Sequence, residues 1–251
     1  MKFNNVLIAA VFTLSVFSCS PKTWTITRAT STKIAIDSTT DQLANTKYSS
    51  YLLPIKQKID AQMNVVIGQA AVTMKGYGPE SLLSNFSADV YRETASKFSG
   101  DSVDMSVVNL GGLRTAIPAG NITVGKVFEL MPFENELVIL WLKGDKLIDL
   151  IQFFAKVGGE GVSGLRMHIV NGKAVDVTVG GKPVDPEKLY SIATNDYLAG
   201  GNDNMVQLAQ YVKRTNTGLK IRTVLIDYIK NETKKGNKIQ AKLDGRIAFS
   251  K

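Results

Sequence analysis

Apolar residues recur along this chain at helical spacing in some segments, and these segments predict the helices. Ser81 is a residue type that caps helices, and the apolar side chains after it fall on one face of a helix that Gly100 ends. The segment DKLIDLIQFFAKVGG predicts a second helix, with Asp145 near its start and Gly158 near its end. Further helices are predicted at GKVFELM and around Ile221–Thr233.

Other segments are short and are either apolar throughout or alternate between apolar and polar residues, which predicts strands. In chain order they are NVVIGQAAVTM, DMSVVN, ELVILWLKG, LRMHIVNG, VDVTVGGKPV, LYSIATNDY and a last strand near Lys242 to Phe249. Strands and helices mix without strict βαβ alternation. The pattern therefore predicts an α+β fold, a single domain with a mixed β-sheet flanked by helices.

The N-terminus has a different pattern, in which an apolar run of twelve residues follows Lys2. Such a run is too short for a bilayer, which needs about 20 residues, but it suits a secretory signal. The residues before Cys19 resemble the lipobox of bacterial lipoproteins, in which the cysteine receives the lipid. We therefore expect a signal peptide over residues 1–18, a lipid anchor at Cys19, and a membrane-anchored lipoprotein exported to the bacterial cell envelope, in the outer membrane or periplasm. An ordinary signal peptide with an incidental cysteine is the alternative.

Residues 19–60 are expected to form the lipidated N-terminus and a tether, and residues 61–251 the folded domain. The tether is predicted because the stretch from Thr23 to Lys47 is rich in serine and threonine. An irregular arm that packs on the domain after Ile34 is the alternative.

The chain of 251 residues carries a formal charge of +8, and the excess of basic residues lies near its C-terminus. Residues 211–251 contain eleven Lys or Arg against three Asp or Glu. The lysines are interleaved with apolar residues at helical spacing, which favours a solvated helix face over a surface for nucleic acid or anionic lipid. No interleaving of aromatic and basic residues suggests single-strand binding, so no nucleic-acid partner is expected.

The sequence argues against catalysis by this chain alone. His168 is its single histidine and Cys19 its single cysteine, whereas a two-metal hydrolase needs several ligands to hold ions about 3.5–4 Å apart. A Walker loop, a nucleophile elbow and a dinucleotide-binding glycine motif are all missing. We therefore expect neither a metal nor a cofactor in this chain.

Three polar segments follow predicted strands or helices and are candidate ligand contacts. In NLGGLR, two glycines permit close backbone approach to a ligand, and Arg114 offers a fork of donors, although a plain turn is the alternative. MPFENE and NDYLAGGNDN place Phe133 and Tyr197 in loops, where two rings can sandwich a planar base. Asp203 suits the paired hydroxyls of a ribose. The alternative is that both rings pack against the domain itself.

Four segments, in their order along the chain, resemble the C-terminal domain of the 5′-nucleotidase family, whose exported members include UDP-sugar hydrolases and 2′,3′-cyclic phosphodiesterases. They are ESLLSNFSADVY, VVNLGGLRTAIPAGNITVGKVFELMPFENELVILWLKGDKL, YSIATNDYLAGGNDNM and LDGRI. The resemblance implies an α+β domain that recognises nucleoside or nucleotide, with the phosphate chemistry in a separate metallophosphoesterase domain. It implies that Phe133 and Tyr197 form a stacking pair and that Asp203 is directed toward the ribose. Further substrate contacts are implied at Asn109, Gly112, Arg114 and Asn135.

The chain departs from the family pattern at several positions. The arginine that usually precedes the ES motif is not found, and Tyr77 lies near its place. Ser84 and Glu134 replace glycines, Asn202 changes the usual GGDG, and Tyr197 replaces a phenylalanine but keeps the ring. The lost arginine and the added glutamate favour a nucleoside over a strongly anionic nucleotide.

The resemblance and the single histidine together predict a nucleoside-recognition domain without its own metallophosphoesterase domain. We expect it to act in nucleotide catabolism as a phosphoester hydrolase only with a separate metal-binding subunit, which would hold the divalent metal. Two alternatives stay open, a stand-alone nucleoside-binding lipoprotein and a scaffold without a ligand.

Overall fold

The computed structural model describes residues 24–36 and 46–250. The predicted signal peptide and Cys19 lie outside these residues. The chain divides into two compact units, Met1–Tyr51 and Leu52–Lys251. Residues 24–36 of the first unit have no regular secondary structure and are exposed. Within the two described ranges, no helix combines the length and the apolar character that crossing a membrane requires.

The described residues form six α-helices, eleven strands and two 3₁₀ turns. The helices are α1 Thr46–Met63, α2 Leu82–Ser99, α3 Val124–Leu130, α4 Gly144–Lys156, α5 Asp196–Ala199 and α6 Ile221–Lys234. The strands are β1 Val66–Ala70, β2 Met105–Val108, β3 Gly120–Thr123, β4 Glu136–Lys143, β5 Gly161–Ser163, β6 Leu165–Val170, β7 Lys173–Val179, β8 Lys182–Pro183, β9 Leu189–Asn195, β10 Lys213–Lys220 and β11 Ile247–Phe249. The 3₁₀ turns are Leu110–Gly112 and Val206–Gln210.

The strands form three sheets, of which the central one has the order β10-β4-β9-β2-β5. In this sheet β2 and β9 are parallel and the other neighbours are antiparallel. A four-stranded sheet has the order β11-β6-β7-β8, and β1 pairs with β3. The predicted α+β fold with mixed sheets is confirmed.

The central sheet is buried on both faces, which explains the uninterrupted apolar run in β4. Leu137 and Ile139 pack in one core cluster with side chains of α2 and α6, whereas Val138 and Leu140 pack in a second cluster with side chains of α4 and β6. Side chains alternate along a strand, so a strand covered on both sides is apolar at nearly every position.

The capping residues predicted for α2 are confirmed. The Ser84 amide donates to Ser81 Oγ at 3.3 Å, and the Ser81 amide donates to Ser84 Oγ at 3.2 Å, which makes a capping box. Gly100 ends the helix with a positive φ of 78°. Ser84, a departure from the family pattern, thus completes the cap.

Several elements differ from the sequence prediction. Strands β3 and β5 were not predicted, and the segment expected to be a loop after β9 begins with the short helix α5, which carries Tyr197. Helix α1 runs through the end of the segment predicted as a tether and was missed, because it contains Pro54 and buries no side chain. The edge strand β10 was also missed, because its many polar residues give it little apolar signal. The last strand is confined to Ile247–Phe249, since the residues from Lys242 onward form a loop. On α6 the lysines are exposed and the apolar face is buried.

Candidate functional site

Four separate segments of the chain meet on one side of the central sheet, the side at which the carboxyl ends of β2 and β9 lie. Strands β2 and β9 are parallel, so the residues that follow both strands lie at the same edge. Strand β4 is antiparallel to β9, with Leu137 opposite Asn195, so the loop before β4 reaches that edge as well. Strand β10 ends there too, with Lys220 opposite Glu136, and it leads directly into α6. The convergence of these four segments follows from strand direction alone.

A cavity of about 330 Å³ lies among these segments. All seven residues that the sequence analysis selected as substrate contacts line it, namely Asn109, Gly112, Arg114, Phe133, Asn135, Tyr197 and Asp203. The other lining residues are Tyr91, Gly111, Met131, Asn195 and Ile221, of which the sequence had pointed only to Gly111, one of the two glycines of NLGGLR. The apolar members of this second set carry no sequence signal that separates them from ordinary core residues.

Asp203 is the centre of a hydrogen-bond network at the cavity. Asn109 Nδ2 donates to Asp203 Oδ2 at 2.6 Å, and the Tyr197 hydroxyl donates to Asp203 Oδ1 at 2.8 Å. The hydrogen bond to Asp203 raises the pKa of Tyr197, so the phenol keeps its proton and remains a donor. Both carboxylate oxygens are therefore held by this chain, and each keeps a second lone pair for a ligand donor.

Gly112 leaves room for the side chain of Asn109 in its present position. A Cβ atom at position 112 would lie 2.7 Å from Asn109 Oδ1, closer than real Cβ contacts.

Arg114, two residues further on, contacts the same turn. Its Nη1 donates to the Gly111 carbonyl at 3.1 Å, and the rest of its exposed guanidinium can meet a ligand. The turn after β2 therefore presents an amide, an exposed arginine and closely packed backbone to the cavity.

Two of the three aromatic side chains that line the cavity are partly accessible, whereas the third, Tyr91, is buried. Phe133 is 45% exposed and Tyr197 is 43% exposed, so neither ring is fully covered by the domain. Exposing two large rings at one cavity is unfavourable in water, and a planar ligand between or upon them would remove that cost.

The departures from the family pattern have different structural consequences. Tyr77 is 53% exposed and does not line the cavity, so it does not replace the missing arginine. Glu134 Oε1 lies 2.7 Å from Arg222 Nη1, and this ion pair compensates the charge of the added glutamate. The charge of Glu134 is thus paired within the chain, and the preference for a nucleoside over an anionic nucleotide stays a prediction.

Glu160 is a buried acid beside the site that the sequence analysis missed. Its Oε2 accepts from the amide of Leu110 at 2.8 Å, which fixes the turn that carries the two glycines. Burial raises the pKa of Glu160 to about 7, with a smaller upward effect from the charge of Asp203, and the Leu110 hydrogen bond opposes both. Nothing in the sequence separates this residue from a surface glutamate.

We expect Glu160→Gln to stabilise the protein above pH 7 by about 3 kcal/mol relative to the unmodified chain. The carboxyl binds its proton more tightly in the folded state, since its pKa rises from 4.5 to about 7. Its contribution to stability is therefore complete below about pH 4.5 and is lost as the pH rises to about 7. Glutamine stays neutral, and its carbonyl can still accept from Leu110. Denaturant unfolding of both proteins at pH 4.5 and pH 8 measures the effect, and an equal stability difference at the two pH values would contradict it.

Within residues 24–36 and 46–250, no group of three or more His, Cys, Asp or Glu side chains is arranged to hold a metal ion. The single histidine, His168, lies on β6, where its Nδ1 is 3.2 Å from Asp176 Oδ2. It does not line the cavity.

A cavity of this size at a sheet edge, with accessible aromatic rings and a few convergent polar groups, is typical of a domain that binds a small organic molecule. The sequence profile of the 5′-nucleotidase C-terminal domain matches residues 66–210, more than half of the chain, and the chain belongs to this family.

Related proteins support the assignment. Protein UshA of Escherichia coli is 29% identical over 198 residues, which cover 75% of this chain and 35% of that protein. A 5′-nucleotidase of Vibrio parahaemolyticus is 27% identical, over 73% of this chain and 33% of that protein. The crystal structure of a 5′-nucleotidase precursor from Thermus thermophilus matches with a TM-score of 0.67 and 31% identity, covering 81% of this chain and 43% of that one. The chain thus spans about a third of the length of the curated relatives it matches.

Proposed function

We propose that the cavity binds a nucleoside or nucleotide, and that this domain serves as the recognition unit of a 5′-nucleotidase-type hydrolase. The observation that carries the proposal is the presence of Tyr197, Phe133 and Asp203 around one cavity of about 330 Å³. Two accessible rings suit a planar base, and a carboxylate suits the paired hydroxyls of a ribose. The side-chain amide of Asn135 can both donate to and accept from the edge of a base.

The chemical step is proposed to belong to a separate metallophosphoesterase that acts together with this chain and holds the divalent metal. Two of the relatives above bear the name 5′-nucleotidase, and most of their length lies outside the part that this chain matches. The described residues provide aromatic and hydrogen-bonding groups but no metal ligands in a cluster.

We further propose that the chain is an exported lipoprotein held to the envelope membrane through Cys19. The supporting feature is the apolar segment that ends in Val16-Phe17-Ser18-Cys19. Attachment to the same membrane would keep this chain close to an envelope-bound partner and raise the effective concentration of each.

One fractionation experiment tests the anchor and the partner together. The full chain, captured from bacterial membranes, is expected to bring down AMP phosphatase activity that a metal chelator abolishes. Cys19→Ser should move the chain from the membrane to the soluble fraction, because the lipid attachment site is lost. An unchanged distribution of Cys19→Ser would contradict the anchor. Captured chain that carries no phosphatase activity, at any salt concentration, would contradict the partner.

A stand-alone nucleoside-binding role is the second candidate. It is supported by the seven predicted substrate contacts, which all line one cavity within the unit Leu52–Lys251. This role predicts that the isolated protein binds a nucleoside. It also predicts that the chain captured from membranes brings down no AMP phosphatase activity.

A further inference from the structure

The loop that carries Phe133 is held by one buried arginine. Arg222 is the second residue of α6, and its side chain is only 11% exposed. Its Nε donates to the Met131 carbonyl at 2.9 Å, and its Nη2 donates to the Phe133 carbonyl at 2.9 Å. Its Nη1 lies 2.7 Å from Glu134 Oε1. All three nitrogens of the guanidinium thus contact a single short loop.

The guanidinium is also fixed from one side by an aromatic ring. Arg222 Cζ lies 4.0 Å from the centroid of the Phe128 ring on α3. A cation over an aromatic face is stabilised by the charge distribution of the ring, more strongly when both are removed from water. Stacking restricts rotation of the guanidinium plane, so its donors point in fixed directions.

Neighbouring residues add two further links between the same loop and the start of α6. The Ile221 amide donates to the Asn135 carbonyl at 2.9 Å, and Lys220 Nζ donates to the Glu134 carbonyl at 3.0 Å. The carbonyls of residues 131, 133, 134 and 135 are therefore all bound by residues 220–222. Lys220 is exposed, whereas Ile221 and Arg222 are buried, so the contacts of Ile221 and Arg222 are more shielded from competing water than that of Lys220.

We propose that Arg222 is a positioning residue for ligand recognition, which sets the conformation of the loop Met131–Asn135 and thereby places the Phe133 ring at the cavity. Arg222 does not itself line the cavity, so it acts through the loop. Its role in recognition rests on the proposed function, while its effect on the loop does not. The added Glu134 contributes a third anchor point for the guanidinium, which gives that departure from the family pattern a structural purpose.

Arg222→Lys in the full chain tests the proposal, because an ammonium group is a point charge that cannot serve three divergent acceptors. We expect the backbone order parameters of Phe133 and Glu134 to fall from near 0.85, the value for rigid backbone, to below about 0.6. The Kd for adenosine should rise about tenfold, since binding must then order the loop. Arg92→Lys is the matched control, because Arg92 Nε also donates to a carbonyl, that of Val103, but lies outside the cavity. It should leave both measurements unchanged.

A double-mutant cycle separates positioning from general destabilisation. If Arg222 acts through Phe133, adding Arg222→Lys to Phe133→Ala should raise the Kd no further, whereas fully additive losses would overturn the proposal. Unchanged order parameters in Arg222→Lys would overturn it as well. Failure of the unmodified chain to bind adenosine would count against the nucleoside proposal alone, since the order parameters report on the loop without a ligand.

A milder variant keeps the proposal testable if Arg222→Lys does not fold. Glu134→Gln removes only an ion pair whose carboxylate is 71% exposed and leaves both carbonyl contacts in place. We expect a smaller fall in the order parameter of Glu134 than in Arg222→Lys, and no fall at all would contradict the anchoring role.

Discussion

Replacing Tyr197 with alanine is expected to weaken adenosine binding by about 1–3 kcal/mol, a rise in Kd of about 5- to 150-fold. The ring is 43% exposed at the cavity, so its removal takes away a stacking surface and leaves the core intact. Calorimetric titration of the full chain with adenosine, uridine and AMP measures the effect. Binding by Tyr197→Ala that equals binding by the unmodified chain would refute stacking on this ring.

Tyr197→Phe is the matched control for this experiment. Phenylalanine keeps the ring but loses the hydroxyl that donates to Asp203 Oδ1 at 2.8 Å. Affinity within a few-fold of the unmodified chain is expected if stacking dominates. A loss as large as that of Tyr197→Ala would instead assign the effect to the Asp203 network. Comparison of adenosine with AMP also shows whether the missing arginine limits binding of the phosphate.

Arg246→Met is expected to cause the largest loss of stability, about 3 kcal/mol or more. The Arg246 side chain is 10% exposed, and its Nη1 lies 2.8 Å from both Asp89 Oδ1 and the Val162 carbonyl. Its Nη2 lies 3.0 Å from Asp244 Oδ2, and hydrogen bonds from Arg246 hold the pKa of Asp244 below its usual range. Arg246 thus joins α2, β5 and the segment before β11, and its removal takes away the side-chain donors that hold these three together.

Thermal unfolding measures this loss, with an expected fall in Tm of about 6–12 °C for a domain of this size. Arg166→Met is the control, because Arg166 also contacts Asp244 but its side chain is 55% exposed. Exposed ion pairs contribute little, so a change below about 1 kcal/mol is expected there. Equal changes in the two variants would contradict the buried role of Arg246.

Much of the fold could be predicted from local sequence signals. Ser81 and Gly100 mark the ends of α2 because capping chemistry depends on only a few neighbouring residues. The apolar runs of β2, β4 and β9 predict buried strands, since a sheet covered on both sides leaves few polar positions. Strand β10 escaped prediction because it lies at a sheet edge, where polar residues are tolerated.

Some residues of the candidate site could likewise be predicted from the sequence, and others could be identified only from the tertiary structure. Sequence alone selected Phe133 and Tyr197 because aromatic residues expected in loops can stack on a base, and Asp203 because a carboxylate suits the paired hydroxyls of a ribose. The family resemblance grouped the three. Glu160 and Arg222 could not be selected this way. Each has its role only because residues far along the chain fold against it, such as Leu110 against Glu160.

The sequence by itself determined the family, the α+β class, most of the helices and strands, and the residues proposed to meet the ligand. These follow from periodicity, caps and motifs, which are properties of neighbouring residues. Only the tertiary structure decided that four separate segments meet at one sheet edge, that Glu134 is neutralised by Arg222, and that Glu160 is buried beside Asp203. Those facts depend on strand direction and burial, which arise when distant segments pack together.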